Sequence, residues 1–197
     1  MLIIERSDYM KKSKYKITVK SFFKHLGVVN RHRFKVFCLC VKAGIPWRGF
    51  VHDLSKYSPT EFLEGAKYFA GDHSPIMNCK RENGYSAAWL HHKGRNRHHY
   101  EYWYDYTASD NCPVIPYKYF AEMVCDSIAA GMIYQGKNWT KSYQLDYWFK
   151  TRGKAKINPK IDFLLTKVYT DLSKDGLKRV VNKKYLMDSY TKLVGEI

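Results

Sequence analysis

A histidine and an aspartate occupy adjacent positions, His52 and Asp53, after a short apolar run. Such a doublet contributes little to helix packing, but neutral imidazole nitrogen and carboxylate oxygen are common ligands of hard or borderline metal ions. His32 precedes the doublet and Asp126 follows it. If the chain folds so that these four side chains meet, they form a metal site that can activate water for hydrolysis.

A second pair of carboxylates, Glu122 and Asp126, lies on a segment that is otherwise apolar or small. Residues four apart share one face of a helix, so both side chains can point the same way. Carboxylates on a buried helix face are costly unless they are paired or bind metal. Each of these residues taken alone is more often structural, and their joint presence is what favours a metal site.

Four of the eight histidines fall within nine residues, at His91, His92, His98 and His99. This cluster has two interpretations from sequence. The histidines can ligate a second ion, or they can belong to a polar turn in which they cap helix ends and pair with nearby carboxylates. A nuclease motif of the H-N-H type is disfavoured, because the strand–strand–helix context that it requires is missing.

The net charge of +16 is unevenly distributed along the chain. Residues 1–50 hold 12 basic and 2 acidic side chains, residues 150–197 hold 12 and 5, and residues 51–149 hold 10 and 11. Two basic ends favour anionic partners such as nucleotides, phosphorylated small molecules or nucleic acid. A solvated basic surface that aids solubility is the alternative interpretation.

Five cysteines without a C-x-x-C pair favour reduced thiols in a cytoplasmic protein. The longest apolar runs are far shorter than the roughly 20 residues that a membrane helix needs, so we expect no membrane partner. The first residues contain an acid and a base too early for a secretory signal.

The pattern of apolar residues predicts an all-α protein, a single helical bundle of about seven to nine helices. We divide it into a basic arm at 1–17 and a helical domain at 18–197. Within that domain, residues 20–135 carry the candidate metal site, and residues 140–197 form basic C-terminal helices.

The helices that carry the candidate ligands can be placed individually. A first helix is predicted at 21–43, and a short second helix starts at Pro46 and ends at the doublet. A capping box with Glu61 at its third position starts a helix at 59–70, and residues 71–83 resemble a loop. Later helices are predicted at 84–92, 117–135, 140–152, 158–174 and 178–194.

The order His32, His52-Asp53, Asp126 resembles the HD-domain superfamily of metal-dependent phosphohydrolases, over about residues 20–135. The resemblance implies an all-α fold with the first histidine on an early helix, the doublet at the end of the next, and the last aspartate on a later helix. It also implies one or two divalent ions, namely manganese, cobalt, magnesium, zinc or iron.

A narrower resemblance rests on two strings, HDLSK at residues 52–56 and NRHHYEYW at residues 96–103. They are similar to a family of unknown function found in bacteria and their phages. That likeness implies a role in the host cytoplasm, where a phage protein can destroy a nucleotide signal of the host's defence.

Larger HD enzymes bind a second ion through two further histidines between the doublet and the final aspartate. By this resemblance His92, together with His98 or His99, takes those places here.

Several HD nucleotidases carry a glutamate three residues past the doublet aspartate, and this chain has Lys56 there. Lysine cannot act as a base at neutral pH unless its pKa is driven far down, but it can hold a phosphate as a point charge. Glu122 is then the substitute candidate for general acid or base. We therefore predict catalytic roles for Asp53, Lys56 and Glu122.

The expected function is a phosphohydrolase or phosphodiesterase acting on a nucleotide, including a cyclic or oligonucleotide signal. Two alternatives remain open: an HD-type di-iron oxygenase, and a non-catalytic protein that binds a nucleotide or nucleic acid. The predicted substrate-binding residues are Arg31, Arg33, Lys56, Arg95, Asn96 and Arg97.

Overall fold

The computed structural model describes residues 13–195, and over this range the chain forms ten α-helices, four short 3₁₀ turns and no strand. The predicted all-α class is confirmed. Most of the predicted basic arm, residues 1–12, lies outside the described residues. The helices are α1 (Val19–Lys42), α2 (Pro46–Val51), α3 (Pro59–Lys67), α4 (Pro75–Asn83), α5 (Ala87–Arg95), α6 (Tyr117–Gln135), α7 (Tyr143–Thr151), α8 (Pro159–Asp175), α9 (Leu177–Val180) and α10 (Lys183–Val194).

None of the described helices combines the length and the apolar character needed to cross a bilayer.

Helix α1 presents His32 to the interior because its buried residues recur at helical spacing. Thr18 caps the helix by accepting from the backbone N–H of Ser21, whose hydroxyl accepts in return from the Thr18 N–H. The buried face then runs through His25, Val29 and His32. A histidine in this register points toward whatever packs on α1, which is α2, α3 and α6.

Helix α2 is short and delivers the doublet at its end. Pro46 is its first residue, as the sequence predicts, and the helix stops at Val51. His52 leaves the helical conformation, and Asp53 takes a left-handed backbone with φ of 52°, the single non-glycine residue with positive φ in the described part of the chain. Such a conformation is uncommon for aspartate and persists where the surroundings determine it.

Helix α6 is the central element of the bundle, and its bounds match the prediction. It packs against α1, α2, α7 and α10. Phe120 and Ile128 of α6, Leu164 of α8 and Leu186 of α10 are fully buried. Because α6 is enclosed by other helices, its two carboxylates, Glu122 and Asp126, are carried into the interior.

Several predicted bounds are wrong, and three of the differences change which segments are helical. The supposed loop at 71–83 contains α4, whose polar sequence carries few core residues and so lacks a clear periodic signal. The residues directly after position 92, which the prediction places outside the helix, are helical, since α5 continues to Arg95. The predicted helix at 178–194 is two helices, because Asn182 caps a new start by accepting from the Tyr185 N–H.

We predict that Gly49→Ala destabilises the fold by about 1–3 kcal/mol, as overpacking of a tight contact does. A Cβ at Gly49 would lie 2.6 Å from Cys40 Cβ and 3.0 Å from the backbone of Phe37, so α2 would have to move off α1. Gly27→Ala is the matched control. Gly27 lies on α1, where an added Cβ would meet nothing within 4 Å, and helix propensity makes this substitution neutral or stabilising. Urea unfolding compares the two; equal free energies of unfolding would contradict the prediction.

Candidate metal centre

The four residues of the first predicted site lie together. The ligand atoms of His32, His52, Asp53 and Asp126 are all within 4.8 Å of one another. His32 Nε2 is 3.0 Å from Asp126 Oδ1, and His52 Nε2 is 3.3 Å from Asp53 Oδ2. Two nitrogens and two carboxylates from α1, the end of α2 and α6 thus face a common point, which we call the first cluster.

A second cluster consists of Asp53, His92, His98 and His99, again with ligand atoms within 4.8 Å of one another. His92 Nε2 and His98 Nε2 each lie 3.4 Å from Asp53 Oδ1, and the Nε2 atoms of His92 and His99 are 2.9 Å apart. Asp53 therefore belongs to both clusters, with Oδ2 toward the first and Oδ1 toward the second. The structure brings His98 and His99 to this point together.

Two unpaired atoms lie where the two clusters meet, and they favour a metal ion as their missing partner. Within residues 13–195, Asp53 Oδ1 and His98 Nε2 are buried and make no hydrogen bond, although they lie only 3.4 Å apart. Buried polar atoms are rarely left unpaired, and an ion is one of the standard explanations. Both atoms are also suitable ligands for a divalent metal, so the residues present fit such a group.

The two aspartates of the first cluster have lowered pKa values. Burial would raise the pKa of Asp53, but His52, Lys56 and His92 hold it well below its usual value. Burial likewise acts on Asp126, whose pKa is nevertheless lowered well below the usual range by hydrogen bonds and charge from His32 and His52. Both aspartates are therefore ionised and can serve directly as ligands.

The pKa values of His52 in the first cluster and His99 in the second are shifted in opposite directions. Burial disfavours the charged form of His52, yet Asp53, Asp126 and Glu122 raise its pKa well above the usual value. A metal at the first cluster must therefore displace a proton from His52. Burial and neighbouring imidazoles lower the pKa of His99 well below its usual value, so this ligand is neutral already.

Two buried glutamates contact the outer nitrogens of these histidines. Glu61 lies 2.6 Å from His91 Nδ1 and 2.7 Å from His92 Nδ1. Glu122 Oε1 lies 3.0 Å from His52 Nδ1 and 3.2 Å from His98 Nδ1. A carboxylate on one imidazole nitrogen fixes the ring and leaves the other nitrogen for a metal, as in many metal centres.

His52, His98 and Glu122 also form a third group with close ligand atoms. This group does not suit an ion, because the nearby Arg48 guanidinium donates to Glu122 Oε2 from Nε and Nη2, both at 2.7 Å. A cation already neutralises this carboxylate.

Sequence reasoning assigned Glu61 to a capping box and missed its contacts with histidine. Ser58 does cap α3 by accepting from the Glu61 N–H at 3.4 Å. The Glu61 carboxylate, however, turns away from the helix end toward His91 and His92, which are thirty residues distant in sequence. Because the capping pattern explained this glutamate locally, no sequence signal connected it to the histidines.

The geometry of Glu122 does not suit the predicted acid or base role. Its side chain has no exposed surface, and both oxygens are occupied by Arg48 and the two histidines. Burial would raise its pKa, but the hydrogen bonds and charges of His52 and His98 lower it to about 2. A carboxylate that stays ionised and out of reach of water positions other groups.

Lys56 is likewise unsuited to act as a base. Its Nζ lies 3.3 Å from Asp53 Oδ2 with the side chain 27% exposed, at the edge of the first cluster. Burial would lower its pKa, but Asp53 and Asp126 outweigh that effect and raise it. A protonated lysine beside the ligands suits the other predicted role, which is to hold a phosphate oxygen.

Two predicted substrate-binding residues make internal contacts instead. Arg33 donates to the carbonyl oxygens of His52 at 2.7 Å and Phe50 at 3.0 Å, and so holds the turn that carries the doublet. Asn96 donates to Ser55 Oγ and to the His92 carbonyl, both at 2.8 Å, at the end of α5. Both side chains support the clusters, so we correct their expected role from substrate binding to positioning.

The other predicted arginines lie at the surface. Arg97 donates to Tyr119 Oη at 3.3 Å, with its guanidinium over the rings of Tyr102 and Tyr119. Arg95 is exposed at the end of α5. Arg31 is exposed on α1 and lines a groove along that helix, so none of the three contacts a candidate ligand directly.

Comparison with known proteins gives one match. A family described as of unknown function (DUF5662) matches residues 21–171, a range that contains every residue of both clusters. The searches of curated proteins and of solved structures each give no match.

We predict that His32→Ala and His99→Ala each remove one of two bound ions, because each histidine belongs to only one cluster. Metal quantification after dialysis against manganese would then give about one equivalent for either variant and about two for the unsubstituted chain. His73→Ala is a control outside both clusters, and it should retain both ions. A variant at position 99 that binds as much metal as the unsubstituted chain would contradict the second cluster.

Proposed function

This chain belongs to the DUF5662 family, and we propose that it is a metal-dependent phosphohydrolase or phosphodiesterase acting on a nucleotide or an oligonucleotide signal. The observation that carries the proposal is the pair of four-ligand clusters that share Asp53. Two ions held by these clusters would stabilise the attacking and leaving oxygens of a displacement at phosphorus.

Ions held in these clusters would lower the pKa of a bound water and neutralise charge on a phosphate. The chain itself supplies the remaining parts. Asp53 and Asp126 stay ionised as ligands, and Lys56 offers a fixed positive charge at the edge of the first cluster. The Asp126 and Lys56 side chains are 17% and 27% exposed, whereas His52 is fully buried, so substrate reaches the site from the side of Lys56.

The positive charge of Lys56, and of the chain as a whole, favours a phosphorylated substrate. Lys56 lies within a hydrogen bond's length of the ligand carboxylate, where a phosphate bound to the ions would also lie. The net charge of +16 favours the association of anions with the chain as a whole. A nucleotide provides the phosphate, and its choice over other phosphorylated molecules extends the resemblance to HD phosphohydrolases.

The second cluster also fits the alternative of an HD-type di-iron oxygenase. Three imidazoles with one carboxylate suit iron, cobalt, manganese or zinc better than magnesium, which prefers oxygen ligands. Metal analysis of freshly purified protein separates the two functions. Two irons together with oxygen consumption favour the oxygenase, whereas turnover of nucleotides with manganese or cobalt favours the phosphohydrolase.

We predict that Asp53→Ala abolishes both metal binding and turnover, because this residue is the one ligand common to both clusters. The measurement is metal content followed by a panel of linear, cyclic and oligomeric nucleotides with manganese. Asp72→Ala, an exposed aspartate outside both clusters, is the control. Full hydrolysis by the Asp53 variant would refute the proposed function.

We predict that Lys56→Met lowers kcat/KM for a phosphorylated substrate by about 10- to 100-fold, as expected for losing a hydrogen bond from a charged donor. Metal content should change little, because Lys56 is not a ligand. Lys35→Met, on the exposed face of α1, should leave both quantities unchanged. An unaltered kcat/KM in the Lys56 variant would exclude it as a phosphate-binding group.

A further inference from the structure

The Glu122 carboxylate contacts one histidine from each cluster through the same oxygen, Oε1. We infer that Arg48 and Glu122 are positioning residues that couple the two metal centres, so that disturbing this pair weakens metal binding at both. The inference rests on the proposed metal sites, and it concerns residues that are not themselves ligands in either four-residue cluster.

The first step of the argument is the tautomer of each histidine. An imidazole that binds an ion through Nε2 carries its proton on Nδ1. His52 Nδ1 and His98 Nδ1 lie 3.0 and 3.2 Å from Glu122 Oε1, so both donate to that oxygen. One carboxylate oxygen therefore selects the metal-binding tautomer of a ligand in the first cluster and of a ligand in the second.

The second step is that only a carboxylate can serve here. Arg48 donates from Nε and Nη2 to the other oxygen, Oε2, at 2.7 Å in each case, and it is held over the Tyr119 ring at 4.9 Å. Glu122 thus accepts from donors on both sides. The amide of glutamine has nearly the same shape, but its NH₂ group would face either the guanidinium or the two imidazoles, donor against donor.

The third step is a contrast with Glu61. This carboxylate contacts His91 and His92, both on α5, and so serves the second cluster alone. Substituting the two glutamates should therefore have different effects. Glu61 affects the binding of one ion, and Glu122 affects the binding of both.

The coupling follows from the shared oxygen. An ion at the first cluster would hold His52, and His52 would in turn hold Glu122 Oε1 through its Nδ1 proton. His98 donates to that same fixed oxygen, so its Nε2 is already directed toward Asp53 Oδ1 when the second ion arrives. Filling one centre therefore prepares a ligand of the other.

The test is a titration of the metal-free full-length chain with Mn²⁺, in which bound and free metal are quantified across the whole concentration range. We expect two ions for the unsubstituted chain. Substituting an outer-shell partner of a metal ligand typically costs about 10- to 100-fold in affinity. Glu61→Gln should show that loss for one ion only, and Glu122→Gln should show it for both.

Two arginine variants test the same pair without altering the carboxylate. Arg48→Met should weaken both ions, and Arg48→Lys, which keeps the charge, should restore part of the affinity. If Glu122→Gln does not fold, the Arg48 variants decide the question. Arg152→Met removes a comparable pair, in which Arg152 Nη2 lies 2.5 Å from Asp162 Oδ2 away from the clusters, and it should leave both affinities unchanged.

The inference is overturned if Glu122→Gln or, failing that, Arg48→Met weakens one ion only or neither. The outcome is distinguishable from failure of the proposed function. Two ions bound to the unsubstituted chain, with the expected pattern among variants but no turnover of any nucleotide, would sustain the coupling and refute the hydrolase. If the unsubstituted chain binds no Mn²⁺, both proposals fall.

Discussion

The carboxylate of Asp53 is the group on which the rest of the site depends. Its two oxygens face different clusters, and its backbone adopts a left-handed conformation immediately after α2 ends. Because Asp53 sits between two groups of imidazoles and beside Lys56, it stays ionised although its side chain is only 2% exposed. The close contact of Gly49 with α1, and the Arg33 hydrogen bonds to the turn, hold that carboxylate in place.

The surrounding charges are arranged in layers. The candidate ligands face the centre. Two glutamates contact the outer nitrogens of the histidines, and Arg48 neutralises Glu122, the more deeply buried of the two. Burying so many ionisable groups is unfavourable unless each has a partner. Nearly every buried ionisable group of the site has a partner. The exceptions within residues 13–195 include Asp53 Oδ1 and His98 Nε2, which lie where the two clusters meet.

Sequence reasoning singled out the candidate ligands that the structure brings together, because their spacing agreed with helical faces and with a known order of residues. His32 lies in the register of the buried face of α1, and Asp126 lies on a helix too apolar to carry an unpaired charge. The contacts that support them were beyond its reach, although Glu122 itself was singled out. Glu122 meets His52 seventy residues away, and Glu61 had a sufficient local explanation as a capping residue. Contacts of that range depend on how helices pack, and no local pattern in the chain encodes them.

The enclosure of α6 has a consequence for biosynthesis. Every ligand is translated before α8 and α10, yet one flank of α6 is covered by α10, where Tyr190 packs on Phe120 and donates to the Ile115 carbonyl. A nascent chain that has emerged only as far as α7 therefore contains every candidate ligand, while the flank of α6 that α10 covers in the folded protein is still open to water. Exposed apolar surface promotes aggregation of incomplete chains, so this flank is the part of the bundle most sensitive to a delay before α10 is synthesised.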